Sequence, residues 1–185
     1  MSLFSSNDIA NLSSTIPLPS KPKKIVIIGA GGIVSDAHLP AYRKAGFEVL
    51  GIFDPQRDKA NKCAKDFSIE KIYSSVEEAF LEKGVVFDIA VPPQVLAEVV
   101  KKIPQGSICQ LQKPMGNSMK DAKLIKEIIK DKNIIACVNL QLKFSPMMVA
   151  LREAINNNMI GDINELEVSL SVKTPWHLWP FLETL

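Results

Sequence analysis

No uninterrupted apolar run in this 185-residue chain is long enough to span a bilayer, and its start lacks the basic residues and apolar middle of a secretory signal. No membrane partner is expected, and a cytoplasmic location is. A surplus of one charge is also missing, since 22 Lys and Arg face 20 Asp and Glu for a net charge of +2. With no basic run interleaved with aromatics, nucleic acid is not an expected partner either. Cysteine is scarce: Cys63, Cys109 and Cys137 stand singly among apolar neighbours. That spacing excludes a zinc or redox pair and predicts three reduced core residues, with no metal site.

What is present is an ordinary globular composition, 46% hydrophobic and 23% charged, enough for one full domain and part of a second. The chain is organised around Ile25-Val26-Ile27-Ile28, which runs into Gly29-Ala30-Gly31-Gly32-Ile33. Four branched aliphatics suit a strand buried on both faces, and the glycines let the backbone turn sharply into a helix. The first amides of such a helix have no intrahelical acceptor, so they and the helix dipole favour a bound diphosphate.

Met1 to Pro22 is rich in Ser, Asn and Pro and shows no sustained period, which predicts a mobile tail. From Lys23 strands alternate with helices. Strands are expected at 25–28, 47–53, 71–73, 85–91, 107–111 and 134–140. A helix from Gly32 to about Lys44 should be bent by Pro40. Helices are also expected over 56–66, from Ser75 to Gly84 with Ser75 and Glu78 as capping box, after Pro93 with Val95, Val99, Val100 and Ile103 inward, and after Ser118 with Asp121. Alternation of this kind requires crossovers and so predicts an α/β fold, a doubly wound parallel sheet covered on both faces. That domain should end near Lys143. Residues 146–159 read as an amphipathic helix closed by Gly161, Ile163 to Val172 alternate like a strand, and Trp176 to Leu182 are apolar and aromatic. The section from 144 to 185 is expected to open a second, α+β domain that the chain does not complete.

Chemistry concentrates at the predicted strand ends. Gly29-Ala30-Gly31 supplies the first two glycines of a dinucleotide fingerprint, with Val34 at the third position. Asp54 closes the second strand, where a carboxylate can accept both ribose hydroxyls and repel a 2′-phosphate; this favours NAD, while the nearby Arg57 leaves NADP open. Val91-Pro92-Pro93 ends the fourth strand and Gln112-Lys113-Pro114 the fifth. Lys113 is the strong proton donor of that edge, and a lysine partly desolvated beside an apolar ring can act as acid or base.

In order, the glycine turn with His38-Leu39-Pro40, Asp54, Val91-Pro92-Pro93, Gln112-Lys113-Pro114 and Ile160-Gly161-Asp162-Ile163 resemble the glucose-fructose oxidoreductase and inositol dehydrogenase (Gfo/Idh/MocA) family. The resemblance runs from about Lys23 to Ile163. It implies a Rossmann domain over 23–143 binding NAD or NADP, and a C-terminal domain that binds a sugar, polyol or related carbinol and forms a homo-oligomer through an open sheet. It also implies Lys113 as the catalytic lysine, with Gly29, Ala30, Gly31, Gly32, Ile33, Asp54, Arg57, Val91, Pro92 and Gln112 along the cofactor. His38 matches a frequent histidine of the first helix and is expected to be structural.

Three departures stand out. Gln112 replaces the usual Glu, Leu96 stands where a histidine is common, and the later segment with an Asp and a catalytic His has no counterpart before Leu185. His177 does not stand in that context. The chain is therefore expected to be a fragment that binds nucleotide without turnover, with a non-enzymatic dinucleotide-binding sensor or a sugar-nucleotide-handling enzyme as alternatives.

Overall fold

A computed structural model describes residues 5–169 and 171. The chain divides into two units, one of Ile16–Phe144 and one formed by the flanks on either side. In the first unit six strands, β1 (Ile25–Ile28), β2 (Val49–Phe53), β3 (Lys71–Ile72), β4 (Val86–Ile89), β5 (Ile108–Leu111) and β6 (Ile135–Val138), form one sheet in the order β3-β2-β1-β4-β5-β6. Every neighbouring pair is parallel. Strand order reverses between β1 and β4, the topological switch of an open α/β sheet, where a crevice forms outside the carboxyl ends of the strands.

Each residue of β1 is at most 5% exposed. Its side chains alternate between two cores, as the pleat requires. Val26 and Ile28 join Phe87, Ile89, Cys109 and Leu111 under helices α5 (Pro93–Lys102) and α6 (Met119–Asp131). Ile25, Ile27 and Ile52 pack instead with Val34, Leu39, Ala60, Cys63 and Ala64. Leu39 lies on α2 (Leu39–Ala45), and Ala60, Cys63 and Ala64 on α3 (Arg57–Phe67). Burying such side chains stabilises a fold by about 1.5–3 kcal/mol each.

The bend expected at Pro40 is a π-helical turn over Val34–His38, in which the Leu39 amide reaches back to Val34 O before α2 continues. Proline has no amide to give a normal helical bond at this point, and the wider turn absorbs the fault. Half of the expected capping box forms, with Glu78 N–H donating to Ser75 Oγ at 3.0 Å, while the Glu78 carboxylate reaches one residue past the cap and accepts the Ser74 amide at 2.7 Å. The helix it opens, α4, is only Val76–Ala79 rather than reaching Gly84, because the next amides tighten to i−3 acceptors. Of the residues expected inward after Pro93, Val100 and Ile103 are buried and Val99 packs partly against the core, while Val95 is 46% exposed and Leu96 is buried instead. Cys63 and Cys109 are buried as expected, whereas Cys137 is exposed on β6. Its face of that edge strand carries no covering helix among the described residues, and Ile135 beside it is 65% exposed.

In the other unit, Ser6–Ala10 of the expected tail form the short helix α1, and Pro146–Asn156 form α7. The Ser13 amide donates to the Glu153 carboxylate. Residues 163–169 do not form the expected strand. Leu166 and Val168 are 75% and 77% exposed, and among the described residues no strand lies beside them to pair with. Residues 170 and 172 of that stretch, His177 and the Trp176–Leu182 cluster lie outside the described residues.

Candidate functional site

Because all six strands run the same way, the loops after them open on one edge. Gly29 follows β1, Asp54 follows β2, Val91 and Pro92 follow β4, and Gln112 and Lys113 follow β5. Gly29 has φ +109°, and a Cβ there would lie 2.3 Å from the carbonyl oxygen of Ala90. Only glycine lets the first turn pass this close to the end of β4. Beyond it, the first bonded helical amide is that of Val34, donating to Gly31 O at 2.9 Å. The amides of Gly31, Gly32 and Ile33 therefore precede the helical ladder, in the position that favours anions. A Cβ on Gly31 would meet nothing within 4 Å, so the turn has open space above it.

Asp54 is tied to this turn. Its Oδ2 accepts the Ala30 amide at 2.7 Å and its Oδ1 the Gln56 amide at 2.7 Å, just before α3. A ribose-acceptor role for Asp54 is compatible with this geometry, since each carboxylate oxygen retains a further acceptor site, whereas Asp54 does not cap α3: the cap residue is Gln56, and Asp54 bonds its amide from outside the helix. Asp54 and Arg57 line a hollow of about 510 Å³ with Phe53, Ser74, Ser75 and Lys102. A smaller hollow, about 220 Å³, lies at the opposite edge among Lys23, Glu82 and Pro104.

At the β5 end, the Gln112 amide donates to Ile89 O at 2.9 Å, and Gln112 Oε1 accepts the Lys113 amide at 3.0 Å. The Lys113–Pro114 bond is cis. Lys113 is exposed, so the desolvation expected of it is not supplied by the protein in this structure.

Sequence reasoning missed a buried polar cluster on the α2 face of the sheet. Asp88 of β4, 1% exposed, accepts from His38 Nδ1 at 2.7 Å and from the Tyr42 hydroxyl at 2.9 Å. Gln110 Nε2 lies 3.4 Å from both Asp88 Oδ1 and the Tyr42 oxygen, and Asn139 Nδ2 lies 3.2 Å from His38 Nε2. Burial, then the nearby Asp88 charge, pushes the Tyr42 hydroxyl pKa well above its ordinary range. An acidic residue inside an otherwise apolar β4 was the available signal, because a buried carboxylate demands partners.

A parallel doubly wound sheet with a glycine-turn helix at its switch point and an acid closing β2 defines a Rossmann dinucleotide-binding domain. The chain belongs to the Gfo/Idh/MocA oxidoreductase family: residues 23–140 match the model of its NAD-binding Rossmann fold. It is 27% identical over 149 residues to glucose-6-phosphate 3-dehydrogenase of Bacillus subtilis, covering 79% of this chain and 41% of that protein. An NAD-binding oxidoreductase from Klebsiella pneumoniae superposes with a TM-score of 0.68 at 20% identity, over 76% of this chain and 40% of the other. A super-repressor mutant of Gal80p from Saccharomyces cerevisiae shares the fold as well, with a TM-score of 0.67 at 19% identity over 78% and 41% of the two chains. The chain spans less than half the length of the curated relatives it matches. Among the described residues no helix is long and apolar enough to cross a membrane.

Proposed function

We propose that the Ile16–Phe144 unit binds a nicotinamide dinucleotide along the carboxyl edge of the sheet and forms the cofactor half of a sugar or polyol dehydrogenase. The observation that carries this reading is the 2.7 Å bond from the Ala30 amide to Asp54, which draws the glycine turn and the acid closing β2 together. The residues suit the ligand: amides ahead of the helical ladder for a diphosphate, open space above Gly31, and a carboxylate beside a hollow of about 510 Å³ for an adenosine. Asp54 favours NAD over NADP by repelling a 2′-phosphate.

The bound nicotinamide would supply the hydride acceptor or donor. Lys113 would then exchange a proton with the substrate hydroxyl, Gln112 would orient the lysine loop through its bond to the Lys113 amide, and Val91 with Pro92 would flank the ring. The section from 144 onward opens the substrate and oligomer domain in this reading, the protein works in the cytoplasm, and turnover needs residues beyond this chain. The dehydrogenase name of the Bacillus subtilis relative supports a phosphosugar or related carbinol as substrate. Gln112, standing beside Lys113 where the family usually has Glu, favours a second reading, a dinucleotide sensor without turnover.

Fluorescence titration with NADH and NADPH tests the proposal. Saturable enhancement with NADH, weaker with NADPH, is the expected result; no saturable response to either sinks it. Appearance of hydride transfer when the gene's full reading frame is expressed, and its loss in Lys113→Ala, separates the dehydrogenase from the sensor.

A further inference from the structure

His38 belongs to the π-helical turn that follows the glycine loop, and it is only 6% exposed. Its ring touches two other elements. Nδ1 donates to Asp88 in β4 at 2.7 Å, which leaves Nε2 to accept from Asn139 Nδ2 at 3.2 Å. Asn139 directly follows β6, and its own amide donates to Leu111 O at 2.8 Å, the carbonyl immediately before Gln112 and Lys113. These bonds therefore link the helical turn that follows the glycine loop, through a buried imidazole, to the last residue of β5, two positions before Lys113.

Stability alone does not account for this set. Buried polar partners can often be replaced together by apolar side chains of similar volume without loss of stability, because their desolvation offsets most of what the bonds supply. The α2 face of this sheet has apolar packing at hand from Ile27, Leu39 and Ile52. The sheet ladder already ties the strand ends together, through Ala90 N–H on Ile28 O and Gln112 N–H on Ile89 O; what the His38 link adds is a fixed tie from the helical turn above the sheet to the end of β6.

We infer that His38 and Asn139 are positioning residues that hold the two halves of the dinucleotide site in register. The inference rests on the proposed function above. A ligand that spans both halves gains from their being fixed, since binding the first half places the second at high effective concentration. A ligand that occupies one half gains nothing.

The test compares NADH with ADP by isothermal titration on the wild-type chain, Asn139→Ala and His38→Asn. Asparagine at 38 places an amide nitrogen where Nδ1 stood, so it keeps the Asp88 bond and drops the link to Asn139. Each variant is expected to weaken NADH about tenfold while leaving ADP within about twofold, and the double variant is expected to lose no more than either single one, because all three cut one link. Equal changes for both ligands, or none for either, overturn the positioning role while leaving the dinucleotide site standing. Wild-type protein that binds neither ligand overturns the proposed function and this inference together.

Discussion

Replacing Gly29 and Gly31 by alanine, one at a time, separates what the first loop does for the fold from what it does for the ligand. At Gly29 the new Cβ would sit 2.3 Å from Ala90 O and 2.9 Å from its carbonyl carbon, at a φ of +109°. An L-residue held there carries about 1–3 kcal/mol of backbone strain, and forcing a methyl against backbone atoms adds about 1–3 kcal/mol. The sum, about 2–6 kcal/mol, is a large part of the ~5–15 kcal/mol that holds an ordinary domain together. At about 2–4 °C per kcal/mol for a chain of this size, Tm should fall by roughly 5–20 °C. At Gly31 nothing lies within 4 Å and φ is not positive. Alanine there should leave stability unchanged or raise it by up to about 1 kcal/mol, through the unfolded chain, yet it puts a methyl where the diphosphate is proposed to lie. Thermal melts by circular dichroism beside NADH titrations read both effects. Gly29→Ala melting with the wild type, or Gly31→Ala binding NADH as tightly as the wild type, would refute the reasoning.

Asp54→Ala leaves the Ala30 and Gln56 amides without their acceptor and should lower stability by about 1–3 kcal/mol in urea unfolding, while moving the NADH to NADPH affinity ratio toward NADPH. Lys71 above all, then Tyr73, bonds to Glu82 and holds its carboxyl below the ordinary value; the Ser74 contacts do the same for Glu78. Because the folded pKa values are depressed, this stability is present at neutral pH and lost as pH falls through those lowered values. Glu78→Gln should flatten the acid limb of a Tm against pH curve; an unchanged limb would exclude the cap as its source. Burial pushes the Cys109 thiol up to about 12, so its thiolate at pH 8 is about one part in ten thousand. An aromatic disulfide reagent should therefore modify the exposed Cys137 in the native protein and reach Cys63 and Cys109 only on unfolding. Rapid native labelling of all three would contradict the packing.

Most of the architecture could be read from residue order, because the signals are local. A run such as Ile25–Ile28 ending at Gly29, or Ser118 placed three residues before Asp121, carries its own strand, turn or cap wherever it sits. All six strands lie within a few residues of the expected ranges. The same locality explains the failures. α4 ends at Ala79 rather than Gly84 because the Leu81 and Glu82 amides turn to i−3 acceptors, with Glu82 bonded outside the helix to Lys71 and Tyr73, partners that helical period does not reveal. Exposure of Cys137 depends on which face of an edge strand a helix happens to cover.

By itself, then, the sequence determined the alternation of strand and helix, the glycine turn, and the residues closing each strand, since hydrophobic period and turn chemistry act over a few neighbours. Only the tertiary structure decided the rest. It set the strand order that brings Gly29 against Ala90, turned the Ala30 amide to Asp54, and gathered His38, Tyr42, Asp88, Gln110 and Asn139 into one buried cluster. Those partners are up to 101 positions apart in the chain, and a hydrogen bond acts over about 3 Å, so the lone acid in β4 could announce a need for partners but no local pattern could name them.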